Sequence, residues 1–248
     1  MELNRDADVA LLRMKAGKAN AIGPAFLERL AALLDEAQGA RALVITGDKG
    51  FFSAGLDLPG LLALGRSEMK AFIDAFGAGM LRVFDLPMPV VAAVNGHAIA
   101  GGCVLALQCD YRIIVEAGCR IGLNEAQLGI GLPPVVVETL RSQVPASSLL
   151  PIALQGKLLE PAEALRLGLV HEVVPAAELE ARAVAKAREL GAVPASAFAQ
   201  IKAALREPAR AAVRADAGKP AEAWVETWFS QGGQALIRAA VERLKKKG

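Results

Sequence analysis

The stretch PVVAAVNGHAIAGGCVLA, residues 89–106, decides the fold. Its first part, Val90-Val91-Ala92-Ala93-Val94, is small, β-branched and uncharged, as a strand buried on both faces must be. Asn95-Gly96 ends that strand. The chain then crosses Ala100-Gly101-Gly102 and enters an apolar helical pattern. Strand, glycine turn and helix in that order leave backbone N–H groups unpaired at the positive end of a helix dipole. The turn has little side-chain chemistry. The backbone is therefore expected to hold a negative oxygen while another group moves protons.

Outward from this stretch, short β-branched runs alternate with helical ones up to about residue 144. Residues 9–14, 42–46 and 111–115 read as strands. Residues 24–37 read as a helix with Pro24 in its first turn and Phe26, Leu27, Leu30, Leu33 and Leu34 on one face. Gly47-Asp48-Lys49-Gly50 is a turn, and residues 67–84 are an amphipathic helix that Leu86-Pro87-Met88-Pro89 stops. Strands separated by helices favour crossover connections and parallel pairing. Beyond residue 144 the pattern is mostly helical, with one short apolar run at 169–174. Helices are expected at 162–167, 176–190, 194–206, 221–229 and 234–246. Gly218-Lys219-Pro220 is the best hinge, but the tail beyond it cannot bury its apolar face alone. It must pack on the body or on another subunit.

With 248 residues, 54% of them hydrophobic, the chain can fill the core of one large α/β domain. No apolar run reaches the roughly 18–20 residues of a membrane span, so no membrane partner is expected. Glu2, Arg5, Asp6 and Asp8 read against a signal or transit peptide, which leads to an expected cytoplasmic location. Basic residues are scattered at a net charge of +2, and only Lys245-Lys246-Lys247 cluster, as a solvated tail would. Aromatic residues make up 4% of the chain, which also argues against a nucleic-acid surface. Cys103, Cys109 and Cys119 are odd in number and lack CxxC spacing. Free thiols in a reducing compartment are expected, without a metal site.

Two further segments have possible chemistry. Phe51-Phe52-Ser53-Ala54-Gly55-Leu56-Asp57-Leu58 is a second glycine turn, whose small residues admit a ligand close to the backbone. An ordinary β-to-α loop reads the same way. In Arg120-Ile121-Gly122-Leu123-Asn124-Glu125-Ala126-Gln127-Leu128-Gly129, an acid stands between apolar neighbours, where desolvation raises its pKa as a proton shuttle needs. The other reading makes Asn124 a helix N-cap with Glu125 in the first turn. Spacing alone leaves both open. Ser53 has no activating base nearby in sequence. His97, His171, Asp57, Glu116 and Glu138 read as structural or solvated groups.

Taken together, the three segments resemble the crotonase (enoyl-CoA hydratase/isomerase) superfamily along nearly the whole chain. Lys18-Ala19-Asn20-Ala21 is similar to that family's early K-x-N-A segment beside the coenzyme A nucleotide. FSAGLDL and NGHAIAGGC resemble its two oxyanion-hole turns. The resemblance implies an α/β, crotonase-like spiral of ββα units over 1–190, with a carboxy-terminal helical region over 191–248 that supports trimers and is not an independent domain. It implies oxyanion donors at the N–H groups of Leu56 and Gly101. It further implies substrate contacts at Lys18, Ala19, Asn20, Ala54, Gly55, Asp57, Leu58, Gly102 and Asn124. The implied partner is an acyl-CoA thioester substrate, with no cofactor beyond that coenzyme A, and the assembly a homotrimer or dimer of trimers.

Two positions then set the chemistry that the resemblance implies. Hydratases of the family use a pair of glutamates, and here Val104 stands at the first position while Glu125 holds the second. Leu132-Pro133-Pro134-Val135-Val136-Val137 also replaces the glycine-rich run usual in hydratases. The segments around Cys109-Asp110-Tyr111-Arg112 and Asn124-Glu125 resemble the mitochondrial type of Δ3,Δ2-enoyl-CoA isomerase. The expected catalytic group is Glu125, moving a proton from C2 to C4; the alternatives are hydratase or another single-acid activity of the family, or a non-catalytic acyl-CoA-binding protein.

Overall fold

Two sheets of unequal size organise the computed structural model, which describes residues 1–17, 19–215 and 219–246. The chain opens with β1 (Glu2–Asp6), β2 (Val9–Arg13), α1 (Pro24–Glu36) and β3 (Ala42–Thr46). Then come β4 (Phe51–Ser53), α2 (Leu58–Leu61), α3 (Arg66–Phe84), β5 (Val90–Val94), β6 (His97–Ile99) and α4 (Gly101–Gln108). β7 (Tyr111–Val115), β8 (Ile121–Gly122), α5 (Pro134–Gln143), α6 (Pro161–Arg166) and β9 (Glu172–Val174) follow. Four helices close the chain: α7 (Leu179–Gly191), α8 (Ala195–Ala215), α9 (Lys219–Phe229) and α10 (Gln231–Lys245).

The larger sheet has the order β1-β2-β3-β5-β7-β9 and is parallel except for β1 against β2. Every residue of β3 and β5 is buried, which is why both runs lack any charge. The smaller sheet has the order β4-β6-β8 and is parallel throughout. One unit therefore occurs three times: a strand of the large sheet, a strand of the small sheet, then a helical turn. The units are β3-β4-α2, β5-β6-α4, and β7-β8 followed by the 3-10 turn Glu125–Leu128. Because neighbouring units are stacked in both sheets, the three helical turns start side by side.

The strands and helices expected over 9–14, 24–37, 42–46, 67–84 and 111–115 are present within a residue or two of those bounds. Helix α8 corrects the expected end at Arg206: it continues through Pro208 to Ala215. Ala209, Ala211, Ala212 and Ala215 favour helix strongly enough to continue past the bond that proline removes. Helix α5 was hidden in the β-branched run Val135-Val136-Val137. It buries Val135, Val136, Thr139 and Leu140 as one helical face after Pro134 at its start. Strands β1, β4, β6 and β8 also had no clear signal, the last three being only two or three residues long. Gly218 of the expected hinge lies outside the described residues. Among those described, no helix is long and apolar enough to cross a membrane.

The carboxy-terminal helices pack on the body: α8 along α5, α9 on α3, and α10 against α9, α2 and the 3-10 turn at Glu125. A buried ion cluster fastens α8. Asp110, between α4 and β7, accepts from Lys202 Nζ at 2.7 Å, from Arg206 NH2 at 2.6 Å and from the Val90 N–H at 2.8 Å. Lys202 also donates to Met88 O at 2.9 Å, and the Arg206 guanidinium lies 4.0 Å from the centre of the Phe84 ring. Both cations are buried. Asp110→Ala strands them without a counter-charge, and should cost about 3–5 kcal/mol in urea denaturation. A loss below about 1 kcal/mol would show that the cluster does not hold α8 in place.

Candidate active site

The first turn of the site follows β4. Gly55 has φ +89°, and a Cβ there would lie 2.6 Å from the Ile99 carbonyl oxygen, so only glycine fits. Ile22 pairs with this turn as an isolated strand would. Its N–H donates to Gly55 O at 2.8 Å, and the Asp57 N–H donates to Ile22 O at 3.0 Å. Leu56, between them, is left with an N–H that has no acceptor among the described residues. Beneath the turn, Ser53 Oγ donates to Asn20 O at 2.7 Å and accepts from the Gly55 N–H at 3.1 Å.

The second turn follows β6. Ala100 sits at φ +49°, ψ −117°, a conformation that costs a non-glycine residue about 1–3 kcal/mol. The Ala100 N–H donates to Gly122 O at 2.8 Å, which ties the turn to the next unit. Gly101 is the first residue of α4, so its N–H has no partner within the helix, and none among the described residues. A Cβ on Gly101 would lie 3.4 Å from Gly55 Cα, which shows how closely the two turns approach.

The third turn carries the acid. Glu125 opens the 3-10 turn after β8, is 8% exposed, and has an Oε2 with no hydrogen-bond partner among the described residues. Burial pushes its carboxyl up to about 7, against a smaller lowering by its own backbone N–H. Asn124 stands at the N-cap position with Glu125 in the first turn, as the structural reading has it, but its side chain makes no capping bond: its Oδ1 is buried and also without a partner among the described residues. Two orphaned acceptors side by side mark a place where a ligand is to be met.

All three turns open into one cavity of about 310 Å3. Ala54, Leu56, Leu58, Gly101, Asn124 and Glu125 line it, so six of the residues expected from sequence come together. Glu125 is its only acidic lining residue among those described, and Val104, 1% exposed, is part of the apolar wall. Ala19, Asn20, Gly55, Asp57 and Gly102 lie outside the cavity wall. Asn20, at φ +52°, is a brace: its Oδ1 accepts from the Ala16 N–H at 2.8 Å and its Nδ2 donates to Phe52 O at 3.1 Å. Ala19 O accepts from the Ala54 N–H at 2.9 Å. Asp57 caps α2, and a Cβ on Gly102 would meet Ser53 O at 2.2 Å, so that glycine serves close packing. Lys18 lies outside the described residues.

The cavity walls had no signal in the sequence. Ile73 and Phe76 from α3, Val136 from α5 and Trp224 from α9 look like any core-facing helix positions. His97 Nδ1 accepts from the Arg120 N–H at 3.2 Å and its ring lies 5.2 Å from that of Phe51, so it is part of the loop packing.

A family model described as enoyl-CoA hydratase/isomerase matches residues 4–245. The chain is 30% identical to the human protein "Enoyl-CoA delta isomerase 1, mitochondrial", over 100% of this chain and 83% of that one. It is 34% identical to a "Probable enoyl-CoA hydratase" of Bacillus subtilis, over 82% of this chain and 78% of that one. The crystal structure of human mitochondrial delta3-delta2-enoyl-CoA isomerase superposes with a TM-score of 0.93 at 30% identity, covering 99% of this chain and 98% of that one.

The raised carboxyl of Glu125 has a consequence for stability. Between its ordinary value near 4.5 and about 7, the folded chain holds a proton that the unfolded chain has released. Stability from this group therefore falls as pH rises through that window, by on the order of 3 kcal/mol once pH exceeds the folded value. Glu125→Gln should raise the denaturation midpoint at about pH 8 and bring it close to the parent value at about pH 4.5. An equal midpoint at about pH 8 would mean that the carboxylate is well solvated.

Proposed function

The chain belongs to the enoyl-CoA hydratase/isomerase family and has its crotonase fold, and we propose that within this family it is a Δ3,Δ2-enoyl-CoA isomerase. The observation that supports this reading is the single acid. Adding water across a double bond takes two acid–base groups, one to activate water and one to supply the carbon proton. Moving a proton along one face of an allylic thioester takes one. Among the described residues Glu125 is the one acid that lines the cavity, with Val104 in its wall.

The proposed reaction balances within the substrate. The thioester carbonyl oxygen accepts from the Leu56 N–H in the turn after β4 and from the Gly101 N–H at the start of α4. Glu125 takes a proton from C2, and the electron pair spreads over C2, C4 and the carbonyl oxygen as a dienolate. The two donors stabilise that charge, each by about 2.7–4 kcal/mol in comparable sites. Glu125 then returns the proton at C4, which leaves the double bond between C2 and C3, conjugated with the thioester. A carboxyl near 7 suits both halves, since it gives up its proton as readily as it takes one. Asn124 orients the carboxylate or the acyl chain. Lys18, Ala19 and Asn20 are the proposed neighbours of the coenzyme A nucleotide, and no further cofactor enters the reaction.

Two wider proposals accompany it. Leu150 and Leu154 are 56% and 73% exposed, and Leu154 lies in an apolar recess with Leu132 and Leu149. Such a face supports a homotrimer or a dimer of trimers, with the helical region over 191–248 as its proposed support; light scattering on the purified chain tests it. Three buried, unpaired thiols support a reducing, cytoplasmic setting.

With a 3-enoyl-CoA, growth of the conjugated thioester absorbance should follow enzyme concentration. Glu125→Gln should lose about a thousandfold or more of that rate while still binding acyl-CoA. Since the base must be ionised, kcat/KM should rise with pH through about 7 and level off above it. Efficient hydration of a 2-enoyl-CoA, or parent rates in the glutamine variant, would overturn the assignment.

A further inference from the structure

The cavity that holds Glu125 has a second, more open cavity beside it, at the surface. The first, at about 310 Å3, is at the small end of ligand pockets, which run to roughly 1,000 Å3. The second, of about 390 Å3, lies between α3, the start of α5, the end of α8 and the start of α9. Positions one to three residues apart on the same elements face the two spaces. Helix α3 gives Phe76 to the first and Gly77 to the second; α5 gives Val136 and Val135; α9 gives Trp224 and Ala221. Only Ile73 and Pro133 line both. A residue with open space on two sides is a partition one side chain thick. Ile73 is 3% exposed and packed in the core, so the partition is held in place. The second cavity is also suited to hydrocarbon. Leu81, Val135, Val213 and Ala221 line it; of its three charged members, Lys70 and Asp74 are paired with each other at 2.8 Å, and Arg214 is exposed at the rim.

We propose that Ile73, together with Pro133, sets the length of acyl chain that this enzyme accepts by stopping the chain's methyl end at the boundary of the second cavity. The proposal rests on the enoyl-CoA reading above. Substrates of short to medium chain end within the first cavity. Longer ones are refused because the space that would take them lies on the far side of Ile73.

The test compares six-carbon and twelve-carbon 3-enoyl-CoA substrates across four forms of the enzyme. The parent should favour the shorter substrate in kcat/KM by about tenfold or more, and Ile73→Ala should move that ratio toward the longer one by about the same factor. Ile73→Val, which removes one methyl group, should give a smaller shift in the same direction, and it stands in if the alanine variant fails to fold. Gly77→Leu has room for its side chain, since a Cβ there would lie 3.9 Å from Val135 Cγ1. Alone it should leave the parent ratio unchanged; combined with Ile73→Ala it should refill the second cavity and cancel the gain. An unchanged ratio in folded Ile73 variants overturns the proposal, as does a parent enzyme indifferent to length or a gain that Gly77→Leu does not cancel. Calorimetric binding of saturated acyl-CoAs of the same two lengths separates this proposal from the isomerase reading. If nothing is isomerised but affinity follows the pattern above, the partition stands and the isomerase reading falls; if no acyl-CoA binds, both fall.

Discussion

Backbone pairing among three very short strands is the constraint on which the rest of this molecule depends. In parallel pairing a residue commits its N–H and C=O to one side, so its sequence neighbours face the other way. The consequence in the turn after β4 is direct: Gly55 and Asp57 are both engaged by Ile22, and Leu56 between them has an N–H with no acceptor among the described residues. At β6 the Ala98 and Ala100 N–H groups are spent on Arg120 O and Gly122 O. The chain then turns into α4 with Gly101 uncommitted. At β8 the same register delivers Glu125 beside them. Asn95 adds a tie between the first two units, its Oδ1 accepting from the Gly47 N–H at 2.8 Å. A slip of one residue in any of these strands would exchange free and committed amides and dismantle the site.

The cost of this arrangement is concentrated where the chemistry lies. Ala100 is held in a conformation ordinarily left to glycine, and Glu125 and Asn124 keep buried acceptors without partners. The surrounding close contacts over-determine these strained positions: glycines at 55, 102 and 122 each have a carbonyl oxygen where a Cβ would stand. Burial of an unsatisfied carboxyl among mostly apolar walls is what raises its pKa to about 7. The apolar walls around it come from α3, α5 and α9, so the carboxy-terminal helices shape the same cavity that the repeated units create.

Much of the large sheet was legible because burial on both faces leaves an unmistakable composition. Val90-Val91-Ala92-Ala93-Val94 and Ala42-Leu43-Val44-Ile45-Thr46 read as strands for that reason, and both are. The small sheet was not legible. Strands of two or three residues are too short to show a period, and β4 and β6 were absorbed into glycine turns. Helix α5 was obscured by three consecutive valines, whose β propensity yields to the face they bury. Helix α8 outran a proline because alanines and the ion cluster at Asp110 outweigh one lost hydrogen bond.

The sequence by itself determined the parts that depend on local sterics and on residue identity. Glycine at 55 and 101, an acid between apolar neighbours at 125 and a valine at 104 are chemical facts that no packing can alter. They were enough to point to a backbone anion site with one proton carrier. Only the tertiary structure decided which amides are free among the described residues, that the Asn124 side chain faces the cavity without a capping bond, and that Ile73 and Pro133 stand between that cavity and the next. The physical reason is the same in each case. A hydrogen bond's commitment, a group's desolvation and a cavity's end are set by atoms brought in from distant parts of the chain, and a linear pattern does not record which ones arrive.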